Sequence, residues 1–324
     1  MWGGWALAIL ALTIVAVVVH RTTAPRPRVH AVVASVPVVP RPPEPLPPSE
    51  PAILVVPPAP PPALVPAPPP AAEPPWLRFA GATVEADGRP VVAIVIDDLG
   101  PDRVRTERAA ALPAAVTLSF LAYAGEVRSE AESARRGGHE LLVHVPMEPV
   151  DRSNDMGPNG LATALPHDEL LRRLRWHLDR LDAYVGINNH MGSRFTADAQ
   201  AMAPVIDELR SRGLMFLDSR TSAATVAARL AQRAGVPFAE RDVFLDDEIN
   251  SPAIEHRLAD VEATSRRTGS AVAIGHPHDA TLAALARWIA ELPEKGIVLV
   301  PLTAIVRLRA GAMMHAGLRA GMIR

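Results

Sequence analysis

The sequence predicts an α/β fold built on a parallel sheet, either open or closed into a barrel. Three observations carry this. Short apolar runs lack strict alternation, as strands buried on both faces do. Longer amphipathic segments separate them, which is the pattern of repeated strand–helix units. Polar residues gather at the C-terminal ends of the runs, where α/β folds collect their functional groups.

The strand-like runs are VVAIVI (91–96), AVTLSFL (115–121), ELLVHV (140–145), YVGINN (184–189), LMFLDS (214–219), RDVFLD (241–246), AVAIGH (271–276) and GIVLVP (296–301). Helix-like segments lie near 102–111, 125–137, 167–183, 198–212, 222–234, 252–268 and 280–292. LPHDELLRRLRWHLDRL and ADAQAMAPVIDELRSRG place apolar residues at three- and four-residue spacing, and the second ends at Gly213, a C-cap signal. Seven or eight such units favour a barrel.

The N-terminal part is different. Residues 1–19 carry no charge and are long enough to cross a bilayer as a helix, so 1–20 reads as a membrane anchor or a signal, the uncleaved anchor being preferred because no small-x-small cleavage site follows. Arg21, Arg26 and Arg28 follow it and no Lys or Arg precedes it. The positive-inside tendency would keep the following domain in the cytoplasm, yet anchors of exported domains carry their charge ahead of the helix, so orientation stays open on these residues. Residues 25–75 hold 21 of the 34 prolines, which excludes helix and sheet ladders and predicts an extended, disordered linker over 21–76. At about 3.1 Å per residue it would reach on the order of 100 Å. The folded domain is expected over 77–310, followed by a tail over 311–324.

The 324 residues, 48% hydrophobic and 21% charged, suffice for a well-buried core. A formal net charge of −2 gives no electrostatic case for nucleic acid. The absence of cysteine excludes disulfides, thiol catalysis and zinc–cysteine sites, so any metal must use His, Asp or Glu. No GxSxG elbow, P-loop, HExxH, or GxGxxG after the first strand is present.

Six strand ends supply the candidate chemistry: Asp97-Asp98, His144, Asn188-Asn189-His190, Asp218, Asp246-Asp247 and His276-Pro277-His278. Adjacent carboxylates face opposite sides of a strand unless the chain is turning, and Leu99-Gly100-Pro101 supplies a turn. The pair could cap the helix starting near Asp102, or divide metal binding and general-base work between them. His144 alone is weak. His190, preceded by two asparagines, and the rigid GHPH turn are stronger. Carboxylates with imidazoles suit Zn²⁺ or another divalent first-row metal. His167, His177 and His256 fall within helix-like segments and are expected at the surface.

In order, VAIVIDDLG, GHELLVHVPMEP, VGINNHMGSRFT, FLDSRT, RDVFLDDE and AVAIGHPH resemble the divergent polysaccharide deacetylase family, a distant branch of the NodB-like carbohydrate esterases, over roughly 90–308. The resemblance implies a distorted (β/α)7-type barrel in an exported bacterial protein, anchored in the inner membrane with the barrel in the periplasm. It implies that Asp97 is the general base, Asp98 and His144 bind the metal, and His276 is the general acid. Glu148 stands where the family's second histidine ligand falls, and the Arg-Pro-Pro-Tyr-like motif is replaced by NHMGSR, which offers His190 and Arg194. No tryptophan follows Asp218. The expected ligand set is therefore Asp98, His144 and either Glu148 or His190, with Asn189, Arg194, Asp218, Asp246 and His278 as substrate contacts. The expected function is metal-dependent deacetylation of an envelope polysaccharide of peptidoglycan type. The alternative is a non-catalytic glycan- or protein-binding barrel.

Overall fold

The computed structural model describes residues 73–321 apart from Val84. The expected anchor, and the linker up to residue 72, lie outside the described residues. Among the described residues no helix is long and apolar enough to cross a membrane.

The strands are β1 (Val91–Leu99), β2 (Thr117–Leu121), β3 (Leu141–Met147), β4 (Gly186–Met191), β5 (Met215–Asp218), β6 (Phe238–Glu240), β7 (Val243–Phe244), β8 (Ser270–Gly275) and β9 (Val298–Leu299). The helices are α1 (Pro75–Arg78), α2 (Arg103–Ala109), α3 (Val127–Arg136), α4 (His167–Leu178), α5 (Ala199–Arg212), α6 (Ala227–Ala234), α7 (Ser251–Thr268), α8 (Asp279–Glu291) and α9 (Leu302–Gly321). Local chemistry sets several ends. Asp102, Asp198 and Asn250 accept backbone N–H groups at the starts of α2, α5 and α7, and Gly213 closes α5 at φ 64°. Because Asp102 caps α2, the Asp97-Asp98 pair is free of that role.

All strands pair in parallel in the order β6-β5-β4-β3-β2-β1-β8-β7, with β9 also on β1. The expected barrel is thus a curled sheet whose described ladder stays open between β6 and β7. Its two edges are brought together by one split segment. Arg241 N–H donates to Asp218 O on the β5 side, and the next residue, Asp242, donates to Val272 O on the β8 side. The single strand expected at 241–246 is the second half of this segment.

Alternation along the strands sorts side chains into two cores. Val92, Ile94, Ile96, Leu118, Phe120, Val143 and Phe216 face outward and pack under the helices. Val91, Ala93, Val95, Leu142, Met215, Leu217, Val272 and Ile274 face inward. The lower interior is filled by Leu302, Ile305 and Val306 of α9, with Trp76 and Phe79 packed alongside. Each such burial contributes roughly 1.5–3 kcal/mol. The linker reading therefore ends too late, since α1 starts at Pro75, and α9 runs past the expected boundary at 310. Gly186 shows how tight the interior is: a Cβ there would lie 2.1 Å from Met215 O.

Glu140 sits at the lower end of the inward face. It accepts hydrogen bonds from Gly81 N, Thr117 Oγ1, Thr303 N and Thr303 Oγ1, tying the chain entry, β2 and α9 together.

Candidate metal centre and catalytic cleft

The same alternation that fills the interior builds the site. Inward positions 91, 93 and 95 of β1 lead to Asp97; Leu142 of β3 leads to His144; Gly186 of β4 leads to Asn188 and His190; Ile274 leads to His276 just beyond β8. Asp97, His144, His190, Ile274 and His276 line a cleft of about 390 Å³, together with Asn189, Met191, Ser219, Arg220, Thr221, Arg241 and Phe244, while Asn188 is fully buried. The cleft is the upper, polar end of the interior that α9 fills below.

Asp98 reaches this face by breaking the alternation. Its φ is 59°, and the β1–β2 register shifts between Ile96 and Leu99. A left-handed residue inside a bulge re-aims a side chain, and Asp tolerates it better than most residues. Consecutive carboxylates therefore approach one imidazole: His144 Nε2 is 3.2 Å from Asp98 Oδ1 and 3.7 Å from Asp97 Oδ2. Met191 and Arg220, at the ends of β4 and β5, also have positive φ, at 53° and 48°. Non-glycine strain of this kind concentrates at functional sites.

Asn188 organises the centre. Its Nδ2 donates to both oxygens of Asp97, at 2.9 and 3.0 Å. Its Oδ1 accepts from Ser119 Oγ at 2.6 Å and from His144 Nδ1 at 2.8 Å. This network assigns the His144 proton to Nδ1 and leaves the Nε2 lone pair facing Asp98. Burial alone would push His144 down, but the Asp97 charge, then the close approach and charge of Asp98, raise it above the ordinary histidine value. For Asp98, burial pushes upward and the two histidines, His144 and His190, hold the carboxyl far below its ordinary range.

His190 Nδ1 completes the group, 2.8 Å from Asp98 Oδ1. Despite these distances, Asp98 Oδ1 is buried without a partner in hydrogen-bond geometry. One ligand atom each from Asp98, His144 and His190 lies within 4.8 Å of the others. Electron-pair donors converging in this way repel unless a cation lies between them. Ligands held at about 2.0–2.1 Å in a tetrahedron stand roughly 3.3 Å apart, close to the separations seen. The donor set, one carboxylate oxygen and two imidazole nitrogens, fits a divalent first-row metal.

Glu148, the other expected third ligand, is not part of this group. Its Oε2 accepts from Thr163 N and Oγ1, while Arg152 and Arg194 lie 3.5 and 3.4 Å from Oε1. Its backbone carbonyl accepts from Arg194 and Phe195. Glu148 and Arg194 form a loop strut, with Arg194 spent on the carboxylate.

Across the cleft, His276 Nδ1 is 2.9 Å from Asp246 Oδ1, and Asp246 Oδ2 accepts from His276 N and Thr281 Oγ1. The His276 Nε2 is 3.9 Å from Asp98 Oδ2. Burial alone would lower His276, but the hydrogen bond and charge of Asp246, with Asp97 and Asp98, hold it up at about 9. Asp246, His276 and His278 also place ligand atoms within 4.8 Å. Both Asp246 oxygens are already committed, so this group is a hydrogen-bonded support, with the His278 ring 6.0 Å from that of His276.

Two further expected contacts, Asp218 and Asn189, make hydrogen bonds within the strand-end loops. Asp218 accepts from Arg220 N and Thr225 Oγ1, fixing the loop after β5. Asn189 donates to Met191 O and accepts from Ser219 N, so it ties two strand ends together at the rim. Of the three helix histidines expected at the surface, His167 and His256 are exposed and His177 is fully buried. Burial lowers His177 to about 4. Sequence reasoning passed over Ser119, Ser219, Arg241 and Phe244 as site residues, and named Asn188 only within a polar strand end without giving it a role. Asn188 was detectable, because it shares the inward phase of His190 two residues on.

The family model for divergent polysaccharide deacetylases matches residues 94–306. The chain is 38% identical over 202 residues to the uncharacterized protein YibQ of Escherichia coli K12, covering 62% of this chain and 63% of that protein. It is 33% identical over 203 residues to an uncharacterized protein of Haemophilus influenzae, covering 63% of this chain and 72% of that one. Among solved structures, an uncharacterized protein from Agrobacterium tumefaciens C58 aligns with a TM-score of 0.69 at 32% identity, over 71% of this chain and 94% of that chain. With its curled parallel sheet and this match over most of the folded region, the chain belongs to the divergent polysaccharide deacetylase family.

Proposed function

We propose that this protein is a metal-dependent hydrolase that removes N-acetyl groups from an envelope polysaccharide of peptidoglycan type. The observation that carries the reading is the buried, unpartnered Asp98 Oδ1 facing His144 Nε2 and His190 Nδ1. Asp98, His144 and His190 would hold the ion, taken as Zn²⁺. When bound, it would polarise the acyl carbonyl and make water a better nucleophile.

The chain's own residues handle the protons. Asp97 lines the cleft with both oxygens oriented by Asn188, which suits it to accept a proton from the attacking water. His276, held at about 9, carries a proton on Nε2 at neutral pH and can donate it to the leaving amine. Asp246 fixes the ring through Nδ1 and stabilises the imidazolium. The acid and the base thus occupy separate strand ends of one cleft. The uncharged N-terminal segment supports an inner-membrane anchor, and the family resemblance, against Arg21, Arg26 and Arg28, supports placing the domain in the periplasm.

The test is acetate release from N-acetylated peptidoglycan or chitooligosaccharide by the zinc-loaded protein. Turnover that falls roughly 10²–10⁴-fold in Asp97→Asn supports the assignment. Glycan binding by the metal-loaded protein without any acetate release would favour the non-catalytic barrel instead.

A further inference from the structure

Arg241 is a cleft residue that the chemistry above does not use. It lies in the split segment that spans the sheet edges, and its side chain lines the same cleft as Asp97, His144, His190 and His276. Its guanidinium is pinned rather than swinging in solvent. Nε donates to Ser219 O at 2.6 Å, one Nη donates to Arg220 O at 2.9 Å, and the group lies 4.9 Å from the centre of the Phe244 ring.

These partners orient the cation without neutralising it. Both acceptors are backbone carbonyls, and among the described residues no carboxylate forms an ion pair with Arg241. The neighbouring Arg220 is different, since it lies 3.3 Å from Glu240. Burial, then the Arg220 charge, push Arg241 below the ordinary arginine value against the opposing charges of Asp97, Asp218 and Asp247, and it stays a cation. A half-buried, pre-oriented guanidinium with free N–H groups on a cleft wall is suited to a planar anion, and carboxylates match its fork. The Phe244 ring, edge-on to His276, places this cation on the side of the proposed general acid.

We infer that Arg241 is a specificity residue that binds a carboxylate on the sugar unit entering the cleft, so that the preferred substrate is an acidic N-acylated glycan. This rests on the deacetylase reading for the identity of the reaction, but the binding preference can be measured apart from turnover. Arg241 supplies a positive wall on which the carboxylate of an acidic sugar can dock. The strain at Arg220, whose positive φ accompanies the carbonyl that holds one Nη, then serves to present this wall.

The experiment uses the full chain loaded with zinc. Two probes share one framework: a tetrasaccharide of alternating N-acetylglucosamine and N-acetylmuramic acid, and the same tetrasaccharide with its carboxyls reduced to alcohols. Affinity is measured by calorimetry and acetate release is followed for wild type, Arg241→Gln and Arg241→Lys, with thermal unfolding as a check on folding. Wild type is expected to prefer the acidic probe by roughly tenfold or more, as a charge-assisted hydrogen bond implies. Arg241→Gln should bind both probes alike, at the affinity wild type shows for the reduced one, and Arg241→Lys should restore part of the preference. Equal binding of the two probes by wild type overturns the inference. So does an Arg241→Gln protein that weakens both probes equally, because that is the signature of a scaffolding role. Acidic preference without acetate release leaves Arg241 assigned and sinks the hydrolase reading, whereas acetate release without preference does the reverse.

Discussion

His190 Nδ1 lies 2.8 Å from Asp98 Oδ1, although the two residues belong to β4 and β1, three positions apart in the sheet order. The curl of the sheet brings them together, and the left-handed turn at Asp98 aims its carboxylate at the histidine. In the proposed metal centre His190 would thereby take the third ligand position for which Glu148 was the alternative.

Substitution at the two candidates should separate them. Glu148→Gln is expected to leave zinc affinity unchanged, because its carboxylate serves Thr163, Arg152 and Arg194. His190→Ala should weaken zinc by more than the roughly 10–100-fold typical of a lost outer-shell partner. Competition titration against a zinc chelator reads both. Equal losses in the two variants would return Glu148 to the centre.

Asn188→Ala is expected to act through the groups it orients. His144 Nδ1 and both Asp97 oxygens lose their partner, so zinc affinity should drop roughly 10–100-fold. Leaving buried polar groups unpaired costs about 1–3 kcal/mol, and urea denaturation of the metal-free protein should show it. An unchanged midpoint would mean that water replaces the amide without loss.

The His276–Asp246 pair sets a pH signature. His276 is raised from 6.5 to about 9, so its contribution to stability is fully present below about 6.5 and is lost as pH rises through about 9. In the metal-free protein, the imidazole titration followed by NMR should move down in Asp246→Asn. In the zinc-loaded enzyme the alkaline limb of acetate release should move down with it. A His276 that titrates at an ordinary histidine value in wild type would remove the case for it as general acid.

Glu140 offers a control remote from the cleft. Glu140→Ala strands the Gly81 and Thr303 N–H groups and the Thr117 and Thr303 hydroxyls. Leaving buried donors unpaired is expected to destabilise the domain by about 1–3 kcal/mol per stranded group, measured by denaturant melting. Zinc stoichiometry at low temperature should be unaffected, since Glu140 lies at the opposite end of the inward face.

Much of this architecture is legible in the chain because parallel strands buried on both faces leave a plain apolar signature. The eight expected strands are all present, with their ends moved by a few residues. β6 escaped notice because the segment from Phe238 to Phe244 changes partners midway, and its first half offers only Phe238 and Ala239 as apolar residues. α9 was not among the expected helices, because its role, filling the interior from below, depends on three-dimensional closure. The site was legible where side chains follow strand phase, as at Asp97, His144, His190 and His276. It was not legible where backbone geometry decides. The bulge at Asp98 has only Gly100 nearby to suggest it, and the capture of Glu148 by Thr163 and Arg194 depends on contacts between separate loops.

The central claim is that Asp98, His144 and His190 form a metal centre. The most direct test is elemental analysis of the purified chain after zinc loading and removal of free metal, for wild type and Asp98→Asn. Asparagine tolerates the left-handed backbone at this position, so the variant keeps the turn and removes only the charge. The account predicts about one zinc per wild-type chain and a substoichiometric content in Asp98→Asn. A wild-type protein that retains no metal, or an Asp98→Asn protein that retains as much as wild type, would contradict it.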